Sequence, residues 1–149
     1  MRVVPVVLLI SALSLPACAA SPDSKAPDLQ AINLLEQRAS QAQPREQAYL
    51  YAELVHEMIE YSARQYSAGE TEQATGLLKK AQLFTHKLHM LIAANDKKLK
   101  DAQIILRHTA FRLTEMLHSS DYQDRPVVEQ TLNQLNEAQN DAMLAVFKK

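Results

Sequence analysis

The stretch that decides the fold is Pro44–Ala68, PREQAYLYAELVHEMIEYSARQYSA, followed at once by Gly69. Turned by about 100° per residue, Tyr51, Leu54, Val55, Met58 and Ser62 gather on one face, the signature of an amphipathic helix. Pro44 suits the first turn of a helix, where a missing N–H costs nothing. Gly69 stands where a helix-ending glycine belongs. The stretch therefore predicts one long helix with a marked start and stop.

On the C-terminal side, Glu70 to about Ala94 predicts a second long helix, with Glu70 and Glu72 favouring its N-terminal dipole. Its apolar face is Ala74, Leu77, Ala81, Phe84, Leu88 and Leu91. Asn95-Asp96 is a weak break, placed there because an unbroken helix to residue 118 would be unusually long for a globular domain. A third long helix runs from about Lys97 to His118, with Leu99, Ala102, Leu106, Ala110, Leu113 and Leu117 on one side. Ser119 to Arg125 is a polar loop. Asp124 is placed to cap a last helix from Arg125 to about Phe147, which carries Val128, Leu132, Leu135, Ala142 and Val146 on its apolar side. On the N-terminal side, a short helix covers Asp28 to about Ala42, with Leu29, Ile32, Leu35 and Ala39 together. Short connections make neighbours antiparallel. The expected fold is all-α, an up-down bundle of four to five helices in a single domain over 28–149.

Composition agrees. The chain has only two glycines and no tryptophan among 149 residues, and it is rich in the strong helix formers Ala, Leu, Gln, Glu and Lys. Residues 1–20 read as a secretory signal: Met1-Arg2, an apolar run from Val3 to Leu15, then Pro16 and the small residues Ala17 to Ala20. That run is too short to cross a bilayer core, which takes roughly 20 apolar residues. Residues 21–27 read as a flexible leader. Cys18, the only cysteine, admits two readings. Cleavage beside Ala19 or Ala20 removes it and leaves a soluble exported chain. Alternatively, Leu15-Pro16-Ala17-Cys18 resembles a bacterial lipobox, which would make lipidated Cys18 the new N-terminus and the chain's one link to a membrane. A disulfide framework is excluded under both. Without Arg2, fifteen basic residues face seventeen acidic ones, a near-neutral balance that excludes the basic footprint of nucleic-acid binding.

Tyr66, Gly69, Ala74, Leu78 and Ala81, with Ser62 before them, resemble the second half of a tetratricopeptide repeat over at most one repeat. That family sets a glycine at the turn and small residues where its two helices pack closely. The chain departs from the pattern at His86, where the helix continues instead of stopping, and it shows no second copy, whereas stable arrays need about three. The resemblance implies a tight central hairpin and protein–protein binding.

Candidate chemistry is sparse. Glu53-x-x-His56 and Glu115-x-x-His118 have the i, i+3 spacing of di-iron bundles, but Glu53, Glu57, Glu60 and Arg64 fall opposite their apolar stripe, as Glu115 does on its own helix. Solvated faces are expected there. His86-x-x-His89, with Met90 beside it and Met58 on a neighbouring helix, offers donors for a soft or borderline metal. No glycine-rich phosphate loop, nucleophile elbow or H-E-x-x-H motif is present, and no cofactor is implied. Ile104 and Phe111, about 150° from their helix's apolar face, and Leu83 and Met90, opposite theirs, leave two options. Either those helices pack on two sides, or apolar surface remains for a partner. The expected role is an exported, non-catalytic binding or structural protein of the cell envelope, engaging a protein or a second copy of itself. The alternative is a periplasmic metal-binding or metal-sensing bundle using His56, His86, His89 and His108. An envelope chaperone would carry the same sequence features.

Overall fold

Asp28 opens the first helix by accepting a 2.6 Å hydrogen bond from the Ala31 N–H, satisfying a donor that every helix start leaves unpaired. The computed structural model describes residues 28–93 and 98–148. Five helices follow one another: α1 (Leu29–Gln41), α2 (Pro44–Ser67), α3 (Thr71–Ile92), α4 (Leu99–Ser119) and α5 (Arg125–Phe147). No strand occurs among the described residues, so the chain is an all-α bundle. None of these helices is long and apolar enough to cross a membrane. The signal at 1–20, the leader at 21–27, the sites Cys18, Ala19 and Ala20, and the break at residues 95–96 lie outside the described residues.

Local chemistry sets the helix ends. Pro44 occupies the first turn of α2. At its other end Gly69 adopts φ +82°, and the Gly69 N–H donates to Tyr66 O (3.1 Å) while the Glu70 N–H donates to Gln65 O (2.9 Å). This pair of bonds is a Schellman turn, which needs a left-handed residue at that position. Lys98 enters α4 with φ 61°, and its Nζ lies 4.6 Å from the centre of the Tyr49 ring. Asp124 precedes α5 but makes no side-chain cap. Instead the N–H groups of Asp124 and Arg125 both donate to Asp121 O, so a backbone turn starts that helix.

Two antiparallel hairpins, α2–α3 and α4–α5, lie side by side with like helices parallel. His56 meets Thr109 and Glu60 meets Arg112 across α2 and α4, whereas Gln82 meets Thr131 and His89 meets Asp141 across α3 and α5. α2 therefore neighbours α3 and α4, α5 neighbours α3 and α4, and α1 packs on α2. Consecutive in the chain, α3 and α4 sit diagonally across the bundle. The second hairpin repeats the burial pattern of the first. Leu78, Ala81, Thr85, Leu88 and Ile92 are buried in α3, and Val128, Thr131, Leu135, Ala138 and Ala142, each fifty positions later, are buried in α5.

With neighbours on three sides, α2 is the central helix: no residue from Glu46 to Tyr66 is exposed. Glu53, Glu57, Glu60 and Arg64 are half-buried rather than solvated, because α1 and α4 cover what a two-sided helix would show to water. On α3 the buried line runs through Ala74, Leu78, Ala81, Thr85, Leu88 and Ile92. The expected face residues Leu77, Phe84 and Leu91 are only half-buried beside that line. Small residues on the line let α2 approach: Ser62, fully buried, donates from Oγ to Ala74 O at 2.9 Å. Buried Thr85, Thr109 and Thr131 likewise donate to carbonyls one turn back in their own helices, so these hydroxyls enter the core satisfied.

Candidate functional site

The four candidate histidines fall in two separate places. His56 and His108 line an open groove along α2 and α4 with Glu60, Arg107, Phe111 and Arg112, of about 660 Å³. His86 and His89 line a smaller cleft between α3 and α5, beside Glu137, of about 290 Å³.

In the α2–α4 groove, half-buried His56 places Nδ1 2.9 Å from Thr109 Oγ1. Thr109 already commits its single hydroxyl proton to Ile105 O at 2.8 Å. Its oxygen must therefore accept from His56, which fixes the proton on Nδ1 and leaves Nε2 with a lone pair when the ring is neutral. Arg112 lies between two carboxylates: Nη1 donates to Glu115 at 3.1 Å, and Nε is 3.3 Å from Glu60 Oε2 as an ion pair without hydrogen-bond alignment. Arg107 and Phe111 are exposed at the rim. The groove thus carries two arginines, two carboxylates, two imidazoles and an aromatic ring, a mixed set that selects no single charge of ligand.

Two further carboxylates of α2, Glu53 and Glu57, are half-buried. Glu53 accepts a 2.6 Å bond from the Tyr49 hydroxyl, which with burial pushes the Tyr49 pKa up to about 12. Burial raises the Glu57 pKa above the ordinary carboxylate range, the neighbouring Glu60 and Glu53 adding to it against His56 and Arg64. Arg64 lies over the Tyr61 ring, 5.2 Å from its centre. Glu53 is tied to Tyr49, His56 to Thr109 and Glu115 to Arg112, so the two Glu-x-x-His motifs do not converge.

At the α3–α5 cleft, His89 Nδ1 lies 3.1 Å from Asp141 Oδ2, both groups about half exposed. Met58 is fully buried in the core, while Met90 is exposed, so the thioethers and the histidine pair are not assembled into one site. Among the described residues no three His, Cys, Asp or Glu side chains come together to hold a metal ion. A third cavity, of about 300 Å³, lies where the α2–α3 turn meets the α4–α5 loop. Its Ser67, Ser119 and Ser120 hydroxyls donate back to carbonyls of their own helices or helix ends, which leaves none poised as a nucleophile.

The apolar residues outside the main stripes give a plain answer. Leu83 is 72%, Met90 61%, Phe111 67% and Ile104 37% exposed. These positions do not pack on a second side; they leave apolar surface. Because α3 and α4 are diagonal, the Leu83–Met90 ridge and the Ile104–Phe111 ridge face opposite sides of the bundle. Sequence reasoning missed the residues around them, namely Arg107 at the groove and Gly76, Lys79 and Lys87 on α3. The signal was present as the carboxylate-free run from Gln73 to Ala93.

No protein-family model, no curated protein and no solved structure matches the chain.

Proposed function

We propose that this chain is an exported, non-catalytic helical binding module of the cell envelope, which engages a protein partner through apolar ridges on its outer helix faces. The observation that carries this reading is the exposure of Leu83 and Met90, seven residues apart on α3, and of Phe111 on α4, large apolar side chains on two helices whose core-facing sides are already filled. Apolar surface arranged in ridges and rimmed by polar groups marks interaction sites. Export rests on the signal-like residues 1–20, and a lipid anchor at Cys18 is the alternative form of the same placement.

Site-specific photo-cross-linking tests this reading. A photoreactive phenylalanine analogue at position 83 or 111, in cells of the source organism, should give a discrete protein adduct absent from a control at exposed Glu129. Adducts no stronger at 83 and 111 than at 129 would overturn it. Fractionation of wild type and Cys18→Ser separates the two placements: a lipid-anchored chain leaves the membrane fraction on substitution, and a cleaved soluble chain is unaffected.

A further inference from the structure

We propose that the outer face of α3 is the docking site for an acidic amphipathic α-helix of a partner protein. The inference rests on the binding-module reading above and gives one of its ridges a ligand.

Three features of α3 point to this occupant. First, Gly76, Leu83 and Met90 stand at seven-residue intervals and form a seam about 21 Å long at 1.5 Å per residue, which winds by only about 40° around α3. Leu83 and Met90 are the exposed knobs. Second, Gly76 has no internal reason to be glycine. It sits within a helix, where glycine costs about 1 kcal/mol relative to alanine, and a Cβ built on it would meet nothing within 4 Å. Glycine does, however, allow another backbone to approach closely. Third, the seam's flanks are basic. Lys79 and Lys87 are exposed beside it, the Lys87 ammonium 5.4 Å from the centre of the Tyr51 ring, and α3 carries no carboxylate from Gln73 to Ala93. Of the acidic groups at its edges, Glu36 and Asp141 are already paired with Lys80 and His89, and Glu137 of α5 lines the cleft beside His86 and His89. Only Glu72, in the first turn, ends the basic stretch.

Apolar knobs and a notch at heptad spacing fit a helix laid along them, and basic flanks ask for Asp or Glu on that helix. A second copy docked through the same face would set lysines against lysines across a twofold axis, which disfavours self-association there. A lipid surface fits less well, since interfacial helices bury a broad Trp-, Phe- and Leu-bearing face. This seam offers two side chains, and the aromatic ring of α3, Phe84, is stacked on Tyr51 at 5.7 Å.

The test uses the folded protein and a labelled model helix of about three heptads, with Leu at the seam positions and Glu beside them. Its counterpart replaces every Glu with Lys. Fluorescence anisotropy should show saturable binding of the acidic helix and at least about tenfold weaker binding of the basic one. Leu83→Asp with Met90→Asp, and separately Gly76→Leu, should each weaken the acidic helix by about tenfold or more, which corresponds to about 1.4 kcal/mol. These positions are exposed, and matching circular dichroism and melting curves establish that the variants fold. Equal binding of the two helices, no binding of the acidic one, or wild-type binding by Leu83→Asp/Met90→Asp overturns the proposal. So does capture of the protein by phosphatidylglycerol vesicles without capture of the helix. Cross-linking at position 111 that persists alongside such a result would retain the binding module and remove only its assignment to α3.

Discussion

Ser62 Oγ donates a 2.9 Å hydrogen bond to the backbone carbonyl of Ala74, with both residues fully buried. α2 and α3 are thereby in side-chain-to-backbone contact just above the Gly69 turn. Removing the bond with Ser62→Ala should cost about 1 kcal/mol. Ala74→Leu, which forces a large side chain between the two helices, should cost about 1–3 kcal/mol. Urea unfolding of both variants checks this, and an unchanged midpoint for Ala74→Leu would show that the helices can separate without penalty.

The two glycines should respond oppositely to the same substitution. Gly69 needs its left-handed φ of +82°, so Gly69→Ala should lose about 1–2 kcal/mol. Gly76 lies in helical backbone with open space at its Cβ position, so Gly76→Ala should gain about 0.5–1 kcal/mol in the free protein. Thermal unfolding of the two variants gives the sign of each directly.

Glu57 makes stability depend on pH in a defined sense. Its carboxyl pKa is raised in the fold, chiefly by burial, so the folded chain holds that proton more tightly than the unfolded chain. The stabilising contribution is fully present below the unfolded carboxylate pKa and is lost as pH rises through the raised folded value. Glu57→Gln keeps a neutral group at every pH. The stability of Glu57→Gln relative to wild type should therefore grow from the acidic carboxylate range toward neutrality and vanish at low pH. A difference that stays constant with pH would remove the assignment.

His56 should be a single tautomer when neutral. Thr109 gives its proton to Ile105 and accepts from Nδ1, so nitrogen NMR of the neutral ring should show Nδ1 protonated. Thr109→Val removes the acceptor while keeping the shape, and should release this preference at a cost of about 1 kcal/mol. A neutral ring protonated on Nε2 in wild type would contradict the geometry.

Much of the helical layout was legible because its signals are local. Pro44, Gly69 and the 3.6-residue period act within a turn or two of the chain, and they place α2 to within a residue. The starts of α3 and α5 were legible for the same reason. Where the cue was a preference rather than a constraint it failed in detail: Asp124 precedes α5, but a backbone turn starts the helix. The second hairpin was not legible as a copy because what repeats is burial at equivalent positions, with Thr85 answered by Leu135 and Ile92 by Ala142. Position in a bundle constrains size and polarity without dictating residue identity.

An all-α chain, the approximate extent of its helices, the lack of a nucleophile-elbow or phosphate-loop motif, and two pairs of apolar residues off the main stripes can all be read from the residues and their spacing. Only the tertiary structure decided what those off-stripe positions meet. α2 has three neighbours, so Glu53, Glu57, Glu60 and Arg64 are half-buried; α3 and α4 stand diagonally and no described helix covers their outer faces, so Leu83, Met90 and Phe111 are exposed. Helical periodicity reports which residues share a face. How many faces are covered depends on the number and placement of neighbouring helices, and contacts between segments about fifty residues apart set that.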